Sequence, residues 1–514
     1  MPVRMEKDPD KNSRRDNYPG RGRRRSSGGG GNNPIVYLIP MLLKRPKLLL
    51  VAAVLAGLWY FFGENCNGLE GGGVAQEVVS NLFSTGLEYS QEKHEATEIF
   101  EPLAENIKNP LPEKMSLDAY APKRLNQGRQ GSCVAWAASY AGRTILESRR
   151  TGQRPDALAF SPSYLYNQIA LANCQGSYLP DAMKNLQQGG VLPFDEFGYD
   201  ERSCSDKPEA SERNRAKDYK IHGFQRLSKD GNVQEVDMLA IKQHVAQGAP
   251  VVIGMMVGGT FMRSMEGRKV WIPSGDDYDA RGFGGHAMCV IGYDDYLEGG
   301  AFQIMNSWGE NWGDDGICWV RYKDFDYFVR EAYGMDPMGN ANEPQGDVLK
   351  AEIGLKLNEG GQVGFRQGTQ GLFSTTRTMP PGTKFKAEVT NDLPCYIYVF
   401  GEETDGSSYV LFPYTEKHSP YCGITGTRLF PSDYSMVTDD IGNRDHIAVV
   451  LSKDPIDYNA FNTRLTNAGG SYANRLQTAL GRQEADFQGG ESIQVVVDFR
   501  RTNIAGVVIS IDKQ

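Results

Sequence analysis

The sequence predicts an α+β chain: a dense mixed block over residues 111–335, then a mostly-β, sandwich-like domain over residues 348–514. Three observations carry this. An alanine-rich run over residues 134–150 has the apolar spacing of a buried helix, and further helix starts are signalled at Ser161-Pro162 and Pro180. Strand-like apolar runs crowd in after Pro250. Beyond residue 348 come short β-rich runs at 353–357, 384–389, 395–400, 409–412, 446–451, 492–499 and 507–511, divided by Gly, Pro, Asn and Asp turns. One helical interruption falls near residues 461–480.

At 514 residues the chain exceeds one ordinary domain. Residues 1–47 hold twelve Lys and Arg against four Asp and Glu, whereas the remainder carries 17 net negative charges. An acidic body argues against nucleic acid as a partner, because phosphate binding needs a basic face. Eight cysteines do not make a disulfide scaffold.

Residues 1–33 are basic and Gly/Ser-rich, so residues 1–47 are expected to be a disordered cytoplasmic tail. Residues 48–62 read LLLVAAVLAGLWYFF, which is roughly 22 Å of helix. Pro46, Lys47 and Gly63 lengthen it, and Trp59 and Tyr60 suit an interface. Residues 48–63 are therefore expected to anchor the chain in a membrane as a single span. Lys44, Arg45 and Lys47 predict the N-terminus inside and the rest outside, and the style of anchor together with the lack of an Asn-x-Ser/Thr acceptor after the span suggests a bacterial inner membrane facing the periplasm. Residues 64–110 read as a stalk, and residues 336–347 (with Asn-Ala-Asn-Glu-Pro-Gln) as a linker.

The chemistry centres on three segments. Gln127-Gly-Arg-Gln-Gly-Ser-Cys133 runs into the alanine-rich helix, with Ser132 as the expected N-cap. Cys133 then falls in a first helical turn, where the dipole and free N–H groups favour the thiolate. Gly284-Gly285-His286-Ala-Met opens an apolar strand and supplies an imidazole as base. Asn306-Ser-Trp308-Gly-Glu-Asn-Trp312-Gly follows another strand, and the Asn306 amide can fix the imidazole's orientation without adding a charge. Gln127 and the Cys133 N–H are candidate oxyanion donors. No cofactor or metal is implied.

These motifs, in this order, resemble the papain/cathepsin family of cysteine peptidases. His286 and Asn306 follow Cys133 by 153 and 173 residues, slightly beyond the family's usual spacing. The resemblance covers residues 111–335 and implies a papain-like two-lobe fold: a helical lobe with the Cys and a β-rich lobe with the His and Asn. It makes Cys133 the nucleophile, His286 the base, Asn306 the orienter and Gln127 the oxyanion donor. Trp308 would shield the His–Asn contact, and Gly176 and Ser177 would line the cleft against a peptide or protein substrate.

The departures are specific. Gln130 stands where the family usually has a cysteine, and Val134 where it has an aromatic residue. Cys174 and Cys204 have each lost their usual partner, which suggests that they bond to each other. Cys289 and Cys318 are expected in the core, and Cys395 with Cys422 is a second candidate bridge. The family's helical inhibitory pro-segment is not recognisable, which puts zymogen control in doubt.

The leading expectation is a membrane-tethered cysteine peptidase. A catalytically silent peptide-binding scaffold and a thiol transpeptidase or cell-wall amidase are the alternatives. The C-terminal domain is assigned no more than a candidate role in binding a protein partner, on architecture alone.

Overall fold

The computed structural model describes residues 3–8, 85–105, 107–229, 235–341, 346–369 and 371–514. The expected anchor at residues 48–63 lies outside them; among the described residues no helix is long and apolar enough to cross a membrane.

The mixed block is organised on one sheet. Its strands run in the order Phe224–Arg226, Val329–Met335, Val251–Val257, Gly284–Asp294, Ala301–Met305, Ile317–Arg321 and Val270–Trp271. Nearly every position of Val251–Val257 and Gly284–Asp294 is buried, which is why these strands are continuous apolar runs and not alternating ones. The helix beginning at Cys133 packs on this sheet. Its Ala135, Ala138 and Leu146 share a core with Val252, Ala287 and Tyr333. That helix is not regular: Cys133–Ala135 and Thr144–Thr151 are α-helical, and Trp136–Arg143 between them is π-helical. The Ser139 hydroxyl donates to the Ala135 carbonyl at 2.7 Å, competing for a backbone acceptor where the helix widens. Gly152 closes it at φ 70°.

The C-terminal region is a sandwich, as its short strands predict. One sheet contains Tyr434–Thr438, Lys384–Asn391, Val348–Leu357, Ile493–Asp498 and Ala485–Gln488; the other contains Leu372–Thr375, Ile504–Asp512, Arg444–Ser452, Cys395–Glu402 and Ser408–Phe412. Strand alternation distributes the side chains. Ile397 and Val399 face the inter-sheet core, whereas Tyr398 and Phe400 face a second core under the helices Tyr458–Asn467 and Tyr472–Leu480.

Three expectations are corrected here. Residues 3–7, assigned to a disordered tail, form the strand Val3–Lys7, paired antiparallel with Tyr434–Thr438. A sheet edge offers unpaired backbone groups, Val3 enters the sandwich core, and Asp8 reaches Lys386 at 2.7 Å. Residues 85–104 and Asn109, within the stretch assigned to a stalk over residues 64–110, pack on the folded regions, as described below. Cys395 and Cys422 face each other in register but are free thiols. Directly opposed residues of an antiparallel pair hold their Cβ atoms about 4.5–5.5 Å apart, wider than the roughly 3.8 Å of a disulfide.

Candidate active site

The segments that carry the chemistry converge although they are far apart in sequence. His286 Nε2 lies 2.8 Å from Asn306 Oδ1. The same Oδ1 accepts the Ser307 N–H at 2.7 Å, so it is an acceptor, and Nε2 carries the imidazole proton. Nδ1 is thereby the basic nitrogen; it is buried and has no hydrogen-bond partner among the described residues. Trp308 stacks on the imidazole with ring centroids 4.4 Å apart, covering the His–Asn contact from one face. The next residue in the strand, Ala287, directs its N–H to Cys133 Sγ at 3.4 Å. Cys133 and His286 are thus immediate neighbours across the junction of helix and sheet.

Gln127 is held from both sides of the cleft. Its N–H donates to the Ser307 carbonyl at 2.9 Å, and the Ser307 hydroxyl donates to its Oε1 at 2.6 Å. Its Nε2 donates to the Gln130 carbonyl at 2.9 Å. Ser132 does not cap the helix through its side chain. Its hydroxyl instead contacts the Tyr199 hydroxyl at 2.7 Å, and Tyr199 donates onward to the Gln127 carbonyl at 2.7 Å. Nothing in the local sequence of Tyr199 signals this position; the loop that carries it is brought in by tertiary contacts. Cys174 is bonded to Cys204, which ties that loop to the Gly176 segment. Gln130, where the family has a cysteine, donates through Nε2 to the carbonyls of Asp200 at 3.1 Å and Ser203 at 3.0 Å. A hydrogen-bonded amide thus holds the loop where a covalent bridge is lacking.

Three comparisons bear on this arrangement. Residues 116–332 match the family model described as papain family cysteine protease. An uncharacterized peptidase C1-like protein of Acanthamoeba polyphaga mimivirus is 28% identical over 263 residues, covering 47% of this chain and 80% of that protein. Cathepsin K of Mus musculus is 30% identical over 203 residues, covering 39% of this chain and 56% of that protein. Residues 116–332 are a papain-family cysteine protease domain. Among solved structures, xylellain, a cysteine protease from Xylella fastidiosa, superposes with a TM-score of 0.40 at 23% identity, covering 49% of this chain and 94% of that one.

The cleft of this protease domain is already filled by the chain itself. Leu87–Glu88 pairs in parallel with Ser177–Tyr178, the Ser177 N–H donates to the Gly86 carbonyl at 2.9 Å, and the Gly86 N–H reaches the Gly285 carbonyl at 3.3 Å. Gly176 and Ser177, expected to line the cleft, therefore line this segment. Leu87 is buried in the same core as Cys133 and Ala287. The crossing is so close that a Cβ on Gly86 would lie 2.1 Å from the Gly131 carbonyl oxygen, and one on Gly176 would lie 2.5 Å from the Gly86 oxygen. Only glycines permit it. Sequence reading missed this segment because Thr85-Gly86-Leu87 carries no helical pro-segment pattern.

Closure sets the protonation states. Both Cys133 and His286 are fully buried. Burial pushes the Cys133 thiol up to about 12, against the partial help of the Ala287 and Gly86 N–H groups. Burial likewise drives the His286 imidazole down to about 4, against its bond to Asn306. In the closed form desolvation thus opposes the thiolate that the helix start favours, and burial favours the neutral thiol and the neutral imidazole.

Proposed function

We propose that this chain hydrolyses peptide bonds of peptide or protein substrates through Cys133, after residues 85–88 leave the cleft. The observation that carries this reading is the alignment of Cys133, His286 and Asn306, with Ala287 N–H on Sγ and Nε2 on Asn306 at 2.8 Å. With water and substrate admitted, desolvation falls, and proton transfer from Sγ to Nδ1 generates the nucleophile. The thiolate attacks the scissile carbonyl carbon, and the resulting oxyanion is met by the Cys133 N–H and the Gln127 amide. His286 returns its proton to the departing amine nitrogen, leaving a thioester on Cys133. Water then attacks the thioester carbonyl while His286 takes its proton, and the acid product leaves with regeneration of the thiol. Asn306 keeps Nδ1 directed to this task, and Trp308 keeps water from the Nε2–Asn306 bond.

The test is alkylation by an epoxide selective for thiolate–imidazole pairs, with the adduct mapped by mass spectrometry, on the intact chain and on Gly86→Val. A single adduct on Cys133 in the variant, absent when His286 is replaced by Ala, supports the reading. No adduct on a folded Gly86→Val chain overturns it in favour of a silent scaffold. Ligated products, in place of hydrolysed ends, would identify a transpeptidase.

The tether reading is also ours. Residues 48–62, with their flanking basic and aromatic residues, are apolar enough to hold the chain at a membrane. One crossing there would place Val3–Lys7 and its partner Tyr434–Thr438 on opposite sides of the bilayer, so the N-inside, periplasm-facing arrangement requires that strand to be undocked. Protease protection of membrane vesicles tests this: a C-terminal domain shielded while residues 1–47 are cleaved supports one crossing, and equal exposure of both overturns it.

A further inference from the structure

The C-terminal sandwich has no part in the chemistry above, yet it contacts the segment that leads into the cleft. Residues 98–101 run extended between the two folded regions, with Ile99 bridged to Arg226 on one side and His418 on the other. On the protease side, the Arg226 N–H donates to the Glu98 carbonyl at 2.9 Å, and the Phe100 N–H donates to the Arg226 carbonyl at 3.1 Å. On the other side, the Ile99 N–H donates to the Lys417 carbonyl at 2.6 Å, and the Ser419 N–H donates to the Ile99 carbonyl at 3.0 Å. Successive residues alternate between the two neighbours, as strand geometry requires.

Phe100 packs in the protease core and Gln243 brackets the Leu103 backbone at 2.9 Å, but the carboxylates of this segment bond to the C-terminal domain. Glu101 is 2% exposed, and its Oε1 meets His418 Nδ1 at 2.6 Å and the Tyr414 hydroxyl at 3.1 Å. Glu98 accepts the Ser419 hydroxyl at 2.6 Å. Arg428 Nε donates to the Glu101 carbonyl at 3.0 Å. Further along, the Ala104 N–H donates to the Thr427 carbonyl at 2.8 Å, and the Asn109 amide brackets the Thr427 backbone at 2.8 and 2.9 Å. These carboxylate partners all belong to the C-terminal domain. Without them a buried carboxylate at Glu101 would lose its charge-assisted bonds, and burial without such partners is strongly unfavourable.

We propose that the C-terminal domain is a clasp: its face formed by residues 414–428 grips residues 98–104 and Asn109 and thereby keeps Thr85, Gly86 and Leu87 over Cys133. Only the helix Gln91–Glu95 and its flanks separate grip from cleft, so the two are coupled through a short segment. That helix is itself pinned, by Lys93 on Asp181 at 2.9 Å and His94 on Tyr333 at 2.9 Å. The domain thereby controls access to the thiol, and the partner of its docking surface is a segment of this same chain. The inference deepens the peptidase reading, yet its test needs no cleavage, since iodoacetamide reports exposure and ionisation of the Cys133 thiol, both of which closure suppresses.

The full chain is compared with Glu101→Ala and with Ile99→Pro. The first removes the carboxylate held by His418 and Tyr414. The second removes the N–H given to Lys417 from a residue outside both domains, so folding of the sandwich is left alone. Cys133 alkylation is expected to accelerate about tenfold or more in both, the factor that corresponds to losing one charged or two ordinary hydrogen bonds. Hydrogen exchange at the Ser419 amide reports independently that the grip has loosened. Faster exchange at Ser419 with an unchanged alkylation rate overturns the clasp. An unchanged rate in Gly86→Val as well would mean that residues 85–88 do not guard the thiol, which also overturns it. Faster alkylation without any peptide cleavage would leave the clasp standing and count against the peptidase reading alone.

Discussion

The Ser177 N–H donates to the Gly86 carbonyl at 2.9 Å, so the wall of the protease cleft is hydrogen-bonded to its own chain. The pairing continues in parallel register through Leu87 opposite Ser177 and Glu88 opposite Tyr178. A neighbour held by backbone bonds, with one apolar side chain buried beyond it, is a modest obstacle. Burying Leu87 contributes roughly 1.5–3 kcal/mol, and each backbone bond about 1 kcal/mol. A segment held on that scale can leave without unfolding the domain, which makes its occupancy adjustable.

Gly86→Val should open the cleft. Its Cβ has no room, because the Gly131 carbonyl would lie 2.1 Å away and backbone cannot give as a flexible side chain can. The expected result is faster Cys133 alkylation by about tenfold or more with the thermal midpoint only slightly lowered; a wild-type rate would show that the segment bends aside at no cost.

Gln127→Ala should lower kcat by roughly 10²–10³, with little change in KM, as expected for loss of an oxyanion donor. Tyr199→Phe should give a smaller loss of the same kind, because its hydroxyl joins the Gln127 carbonyl to the Ser132 hydroxyl without touching substrate. Alkylation of Cys133, which forms no oxyanion, should be unaffected by Tyr199→Phe. In a Gln127→Ala background the tyrosine change should add almost nothing. An equal loss in both backgrounds would mean that Tyr199 acts elsewhere.

Reduction of the Cys174–Cys204 bridge, or the double change to Ser, should cost about 3–4 kcal/mol on the loop-closure argument. The bridge spans 30 residues and holds the loop carrying Tyr199, so kcat should fall along with the thermal midpoint. Gln130→Ala in the reduced form should cost a further 1–2 kcal/mol or so, since its amide would no longer hold Asp200 and Ser203. A thermal midpoint insensitive to reductant would contradict this.

Acid should loosen the closed form. The His286 imidazole is held at about 4, below its ordinary 6.5, so between those values an open or unfolded chain binds a proton that the closed one refuses. Stability is therefore lost as pH falls from 6.5 toward 4, by about 3 kcal/mol at most. His244, also driven by burial to about 4, adds in the same direction. Asp336 works oppositely. Burial holds its carboxyl up at about 7, against partial help from Gln225 and Arg428, so its cost grows as pH rises from 4 to 7. In a Cys133→Ala chain, Asp336→Asn should raise the thermal midpoint at pH 7.5 and leave it nearly unchanged at pH 4. A lower midpoint at pH 7.5 would show that the carboxylate has a partner worth more than its burial.

Much of the candidate site could be seen in the sequence because its parts sit in locally readable contexts. Glycines precede Cys133 and His286, an apolar strand precedes Asn306, and each context is confined to a few neighbouring residues. The strands of the sandwich were visible for the same reason, being short apolar runs divided by turn residues. Ser132 misled because its local sequence is that of a cap, while Tyr199, 67 residues on, offered its hydroxyl a better partner. Burial opposes the thiolate expected at Cys133, and burial is a property of the whole fold.

The sequence by itself determined the enzyme class and the α+β fold class, since backbone propensity and side-chain chemistry are local. Tertiary structure alone decided that residues 85–88 fill the cleft, that residues 98–101 are shared between two folded regions and that Val3–Lys7 completes a sheet. Each of those is a pairing of backbone groups across long stretches of chain. Backbone N–H and C=O groups are nearly identical in every residue, so a sequence does not announce which distant pair will meet.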